Sequence, residues 1–426
     1  MTNKKQFLNE VTQQIRSKEA KEYVKKELHH HIEEAKQLFM KKGESVDHAE
    51  EKAVLQMGSP TQLGHRLNKI HRPKIDWILM GLISIVLGIG FLPLIVLEPL
   101  FEAVNLLSSK VIDVVIGVII LIAMMLFDYR KLKGRGWLFF LFGCVVLVFI
   151  NVNWMITRIN GTRFFEIGPF IISPVLTLPI FMIAWVDVLQ KEKFNILQYF
   201  GMFFVSVMLI GTTNDIQFLG MYITLVSCMM LIRSLYKKEI KIWASLVITW
   251  IVMISSFVFS LQEYHIERIE AFLHPEKYAD TGGYIYLKIN DLITTAGWFG
   301  NSIVEGEYIP EAHTNFVFVA FTYSFGWVFA ISLVLLLVSI TIRISFIYRK
   351  IHDPFGSMLI VGSLSLFATA MIGNIGMAVG VFPITSIPLP FISYGLAPIV
   401  LNAAIIGLVL SVYRRKNLII QSVTNI

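Results

Sequence analysis

Charge is scarce in this chain and is missing from long stretches of it. Only 16 % of the 426 residues are Asp, Glu, Lys or Arg, whereas 55 % are hydrophobic. That balance lies outside the usual range of a soluble globular domain. Cysteine is nearly absent. Cys144 and Cys228 are the two, and both fall in apolar runs, which argues against a disulfide framework or a cysteine metal site. No glycine-rich phosphate loop, zinc-ligand spacing or internal repeat is visible. A basic segment, short apolar core and cleavage site do not occur at the start, so no cleaved signal peptide is expected.

Long apolar runs are present instead. Trp77–Leu97, Trp137–Thr157, Trp243–Gln262 and Phe316–Thr341 contain no Asp, Glu, Lys or Arg. About 20 apolar residues cross a hydrocarbon core of ~30 Å, so each run can span a bilayer. Hydropathy predicts ten spans, at 76–97, 112–127, 137–157, 168–187, 195–212, 217–232, 243–262, 316–345, 355–380 and 391–412. Alternate loops at 128–136, 188–194, 233–242 and 346–354 are basic, whereas the short loops at 213–216 and 381–390 carry no Lys or Arg. The positive-inside rule then puts both termini in the cytoplasm. The same rule accounts for the net charge of +7 without invoking nucleic acid. One long loop, 262–315, is expected outside, with Phe272, Tyr284, Tyr286 and Trp298 placing part of it at the interface.

Residues 1–74 differ in kind. Phe7, Val11 and Ile15, then Tyr23, Leu28 and Ile32, recur at helical spacing in a Lys- and Glu-rich background. Ser45 can cap a helix running to Met57, and Ser59-Pro60 reads as N-cap and first residue of another. A separable cytoplasmic helical module is expected. His29-His30-His31 point about 100° apart on a helix and cannot converge on one ion. The stretch AEEKAVLQMGSPTQLGHRL (49–67) resembles the HAAS or permease-prefix domain that precedes some membrane proteins of Gram-positive bacteria. The fold class is therefore all-α: about ten membrane helices (75–416), a helical prefix (1–74) and a short cytoplasmic tail (417–426).

Two segments carry the most specific pattern: YIPEAHTNF at Tyr308–Phe316 and NIGMAVGVFPITSIPLPFISYG at Asn374–Gly395. With Asn160-Gly161-Thr162-Arg163 and Gly168, Arg268, Phe272-Leu273, Pro275, Gly283-Tyr284 and Gly297-Trp298-Phe299-Gly300, they resemble the SEDS family (FtsW, RodA, SpoVE). That family comprises membrane polymerases of cell-wall glycan in cell shape and division. The resemblance covers about residues 77–416. It implies an undecaprenyl-linked precursor such as lipid II as ligand, a class B penicillin-binding protein and membrane lipids as partners, and a multi-pass cell-membrane location. It implies no cofactor beyond a possible divalent cation.

By resemblance the catalytic position is Asn315, where the family writes Asp in His-Thr-Asp-Phe, and the substrate-binding residues are Arg268, Lys288, Glu311, His313, Thr314, Ser393 and Tyr394. An amide keeps the shape of a carboxylate but accepts no proton near neutral pH. Other family positions are altered as well, polar ones at Ser173–Leu176, Pro179, Lys288 and Tyr323–Gly326 and small ones at Leu396–Pro398. The expectation is precursor binding with weak or no polymerase activity. Alternatives are an active glycosyltransferase using another base, for which Glu305, Glu307 and Glu311 are nearby, and a transporter or flippase of a lipid-linked precursor. Arg268 also fits a snorkelling interfacial residue, His313 an interfacial histidine, and Lys288 a solvated cation.

Overall fold

The computed structural model describes residues 4–96, 103–152, 156–159, 162–167, 170–259, 263–301 and 309–418. Tyr308, Glu305, Glu307, Asn160, Gly161 and Gly168 lie outside the described residues. The chain divides into two compact units, Met1–Asp76 with Tyr413–Ile426, and Trp77–Val412.

The first unit contains α1 (Lys4–Gln13), α2 (Lys18–Lys41), α3 (Val46–Gln56) and α4 (Pro60–Ile70). The apolar positions at helical spacing form its core: Phe7, Leu8, Val11 and Ile15 are buried together with Val24, Leu28, Ile32, Ala53 and Val54. Ser17 caps α2 by accepting a hydrogen bond from Ala20 N, and Ser59-Pro60 opens α4. His30 and His31 both lie beside Glu34, at 3.2 and 3.6 Å. Among the described residues no group of three or more His, Cys, Asp or Glu is arranged to hold a metal ion. This unit reaches beyond the 1–74 drawn from composition, because Leu418 near the C-terminus is 2 % exposed within its core.

The second unit runs through α5 (Trp77–Ile89), α6 (Leu92–Val96), α7 (Ala103–Leu126), α8 (Gly136–Val152), α9 (Leu178–Leu189), α10 (Ile196–Gly211), α11 (Ile216–Lys237) and α12 (Ile240–Phe259). It continues with α13 (Glu263–Leu273), α14 (Tyr284–Thr295), α15 (Val317–Tyr348), α16 (Pro354–Ala378) and α17 (Leu396–Arg414). Six helical segments are long and apolar enough to cross a membrane, and four shorter apolar helices lie at 136–151, 174–189, 196–211 and 240–255. Together they occupy the ten apolar segments read from hydropathy, and the chain is a multi-pass membrane protein.

The short helix α9 is buried at every residue except Ile180, and α16 and α17 are buried over most of their length. The lipid-facing runs, with exposed Ile, Leu and Val, lie mainly on α5, α7, α8, α12 and α15. Small residues allow close helix approach. Gly362 of α16 meets Met182 of α9, and Gly407 of α17 meets Leu121 of α7.

The spans read at 137–157 and 168–187 require correction at their facing ends. The described part of 156–172, expected as span end, loop and span start, is not helical. It forms a three-stranded antiparallel sheet, β1 (Ile156–Ile159), β2 (Thr162–Ile167) and β3 (Phe170–Ile172), with Ile156 opposite Phe165 and Phe165 opposite Ile172. Its sequence, rich in Ile, Phe and Thr, suits strands as well as a span. Consequently α9 is only 12 residues long, roughly 18 Å of helix and too short to cross the core alone.

The helix that leads away from the family motif is broken. Gly326, nine residues into α15, has φ 80° and ψ 175°, a region essentially reserved for glycine. The backbone groups released by the break are taken up by the Gly297–Asn301 loop. Trp327 N and Val328 N donate to Gly297 O and Trp298 O at 3.1 and 3.2 Å, and Asn301 N donates to Tyr323 O at 2.8 Å. A Cβ on Gly326 would collide with Trp298 O and Gly300 N, and one on Gly300 with Ser324 O. Gly326→Ala should therefore lower stability by about 3 kcal/mol or more, read as a drop in the thermal unfolding midpoint of the detergent-solubilised protein. An unchanged midpoint would show that α15 does not need this break.

Candidate functional site

The His313 segment enters α15 through a tight turn. Glu311 adopts a left-handed conformation (φ 62°), and its carbonyl accepts Thr314 N at 3.0 Å and Phe316 N at 3.1 Å. This turn directs Glu311 back onto the start of α15, so that Asn315 Nδ2 donates to Glu311 Oε2.

A second turn, Leu389–Gly395, closes against the first. Phe391 is also left-handed (φ 62°). Ser393 is fully buried; its Oγ donates to Thr314 O at 2.7 Å and accepts from Leu389 N at 2.8 Å. Tyr394 N donates to His313 O at 2.9 Å, and the two rings meet edge to face at 5.4 Å. The structure thus brings Glu311, His313, Thr314, Asn315, Ser393 and Tyr394 into one cluster. Burial pushes the His313 imidazole below its ordinary pKa, with the nearby Glu311 charge opposing the shift. At neutral pH the ring is accordingly neutral.

Two further residues pin this cluster and were not singled out from sequence. Asn374 of α16, fully buried, donates from Nδ2 to Asn315 O and to Ile387 O, both at 2.8 Å. Lys110 of α7, also fully buried, donates from Nζ to Ile392 O at 3.0 Å and Ser393 O at 2.9 Å. Asp113, one turn further along α7, is buried as well. Asn374 had a signal, as the first residue of the quoted motif. Lys110 had one too: an isolated cation entering an apolar run is a functional hint by its cost alone.

Arg268 is exposed on α13 and Lys288 half-buried on α14, both on the long connection between α12 and α15. Both lie on elements other than the two turns that form the cluster. That connection is nevertheless tied to the second turn's approach, because Ile384 N donates to Tyr286 OH at 3.0 Å and Tyr286 packs against Phe272 at 5.6 Å.

Two acidic side chains cap helix starts, one at a distance in sequence and one locally. Asp187 accepts from Gly134 N at 2.6 Å and Gly136 N at 3.1 Å, holding the start of α8. Asp215 caps α11 through Phe218 N at 2.9 Å. Burial raises the Asp215 carboxyl above its usual range, and the N–H groups of Phe218 and Gln217 oppose that rise.

Chemically, the cluster offers a neutral imidazole, an amide, a carboxylate and a phenol, each on backbone held by buried hydrogen bonds. It can orient a hydroxyl-rich ligand. Its carboxylate for proton transfer is Glu311, since residue 315 is an amide.

Comparison with known proteins places this geometry. The family described as Cell cycle protein, covering FtsW, RodA and SpoVE, matches residues 74–418. The probable peptidoglycan glycosyltransferase FtsW of Bacillus subtilis is 34 % identical over 156 residues, 36 % of this chain and 39 % of that protein. The peptidoglycan glycosyltransferase MrdB of Escherichia coli K12 is 22 % identical over 339 residues, 76 % of this chain and 89 % of its own length. Among solved structures, a chain from a study of how a peptidoglycan synthase complex coordinates polymerization and crosslinking has a TM-score of 0.69 at 22 % identity, covering 80 % of this chain and 98 % of that one. Rod shape determining protein RodA of Thermus thermophilus has a TM-score of 0.57 at 19 % identity, covering 80 % and 97 %. These structural likenesses are likenesses of fold.

The Lys110 contacts generate a prediction. Lys110→Met would leave two buried carbonyls without donors, costing about 1–3 kcal/mol. Hydrogen exchange across Leu389–Tyr394 should accelerate, whereas Lys110→Arg should keep most of the protection. Equal exchange in the Met variant and the wild type would remove Lys110 from the support of this turn.

Proposed function

The chain belongs to the FtsW/RodA/SpoVE family of cell cycle proteins, the peptidoglycan glycosyltransferases of SEDS type, and from that premise we propose that it binds lipid II or a related undecaprenyl-linked precursor with little or no polymerisation. The observation that carries this reading is Asn315. The turn around it is fully built, with Asn374, Ser393 and Tyr394 in hydrogen-bonded contact, but the residue at the family's Asp position is an amide. Such a site retains shape and hydrogen bonding for a sugar and loses proton acceptance. General-base catalysis is worth about 10²–10⁴ in rate, so binding survives where turnover falls.

A second reading has one specific observation in its favour. Asn315 Nδ2 donates to the Glu311 carboxylate, so a base is held beside the altered position. In that reading Glu311 takes the acceptor hydroxyl's proton and the protein is an active polymerase. A transporter or flippase has weaker support, since Asp187 and Asp215 are engaged as helix caps rather than paired with each other. A class B penicillin-binding protein is the proposed partner. The support is that a chain of similar fold was solved in work on a peptidoglycan synthase complex.

Labelled lipid II and purified protein in detergent test the proposal. Wild type should bind, yet extend glycan at a rate on the order of 10²-fold or more below an active family member. Asn315→Asp should restore little, because Val175, Leu176, Pro179 and Lys288 also depart from the family pattern. Robust wild-type polymerisation that Glu311→Gln abolishes would transfer the role of base to Glu311. Undetectable lipid II binding would remove the substrate.

The proposed orientation puts both chain ends and the basic loops in the cytoplasm and 262–315 outside, on the strength of loop charge. With the native cysteines removed, a cysteine at Lys277 should react with an impermeant thiol reagent on intact cells and one at Lys131 should not. The opposite pattern would invert the topology.

A further inference from the structure

We infer that the segment Tyr413–Leu418 is an internal ligand of the N-terminal helical module, bound as a short peptide would be, and that the module is complete only with this segment in place. This goes beyond the cell-wall reading and does not depend on it.

The contacts are dense and chemically specific. Arg415 is fully buried, and its guanidinium grips the Glu19 carboxylate through both oxygens: Nε donates to Oε2 at 2.9 Å and Nη2 to Oε1 at 2.8 Å. A buried guanidinium is tolerated when a matched acceptor meets it, and the planar fork of Arg fits a carboxylate as Lys would not. Glu19 lies in the first turn of α2, just after the N-cap Ser17, where the helix dipole already favours an anion. Glu19 therefore presents its carboxylate from the dipole-favoured start of α2, where the Arg415 guanidinium meets it.

The next residues engage the end of α4. Asn417 Nδ2 donates to Ile70 O at 3.0 Å, satisfying one of the carbonyls that the last turn of a helix leaves free. The Asn417 carbonyl meets His71 Nδ1 at 2.7 Å. A carbonyl can only accept, so the His71 proton resides on Nδ1. Tyr23 of α2 lies against the His71 ring, at 5.1 Å between centroids. Lys74 N donates to Arg414 O at 3.3 Å. Leu418 then inserts into the apolar core with Phe7, Val24 and Leu28. Recognition thus uses an Arg, an Asn two residues on and a Leu three residues on, with backbone contacts at Arg414 and Asn417. A polar clamp is followed by an apolar plug, and both come from a segment of the same chain.

Hydrogen exchange of the full chain in detergent, compared with a chain ending at Arg414, tests the inference. Loss of the segment should raise exchange about tenfold or more in the first turn of α2 and at Ile70–Lys74, because local opening then lacks its buried partners. Exchange in α16 should not change. A synthetic peptide of residues 413–426, added in excess, should restore the protection in trans. Glu19→Arg and Arg415→Glu should each reproduce the loss, and the two together should recover most of it. The double variant decides the matter should the truncated chain fail to fold. The inference is overturned by unchanged exchange in both the truncated chain and Arg415→Glu. It is overturned equally if neither the peptide nor the double reversal restores protection.

Discussion

A backbone N–H or C=O that leaves regular helix inside a bilayer finds no water there, and each one left unpaired costs several kcal/mol. The described part of the site is assembled from places where this chain departs from helix and meets that demand with protein groups. The break at Gly326 is filled by the Gly297–Asn301 loop. The turn at Phe391 is held by Lys110 and by Ser393 Oγ. The carbonyl of Asn315 is taken by Asn374. A loop, the buried side chains of Lys110 and Asn374, and Ser393 of the turn itself hold these irregular segments, so the backbone around His313 is held rigid from several sides. Rigidity of this sort is what orientation of a bound ligand requires.

Lys110 shows how far the demand extends. An ammonium at zero exposure is expensive, and its two carbonyl partners are neutral. Replacing it with an apolar residue would spare the desolvation of a charge but strand Ile392 O and Ser393 O. The charged donor is retained where two carbonyls converge, a geometry that one neutral side-chain hydroxyl, with its single donor, cannot serve.

Much of the architecture was legible in the residues. Charge-free runs located the apolar helices, the Ser45 and Ser59-Pro60 signals fell at helix starts, and the His313–Asn315 and Ser393–Tyr394 motifs proved to be in contact across 79 positions. What was hidden has two causes. Hydropathy carried the third span to 157 and began the fourth at 168, over residues that include the strand positions Ile156, Thr157 and Phe170–Ile172. The support by Lys110 joins residues 283 positions apart, and the pair Glu19 and Arg415 lies 396 apart. Helical periodicity reports only neighbours three or four residues away, so no local pattern announces such pairs. Arg268 and Lys288 illustrate the converse. Both were named by resemblance within a long loop, and the structure places them on α13 and α14, helices that the loop reading did not include.

The contact between Asn315 and Glu311 links the fold to the chemical question. A carboxylate oxygen that accepts a hydrogen bond from an adjacent amide has one lone pair occupied, and that lone pair is not offered to a sugar hydroxyl. For Glu311 to serve in catalysis, the Asn315 amide would have to release it or share it with the incoming hydroxyl. The left-handed turn at Glu311, fixed by Thr314 N and Phe316 N on its carbonyl, restricts the backbone from moving to help. Side-chain rotation is then the available freedom, and each rotamer that frees the carboxylate gives up the contact with Asn315. This opposition between holding Glu311 and using it is the physical basis on which the proposal of binding with little turnover rests.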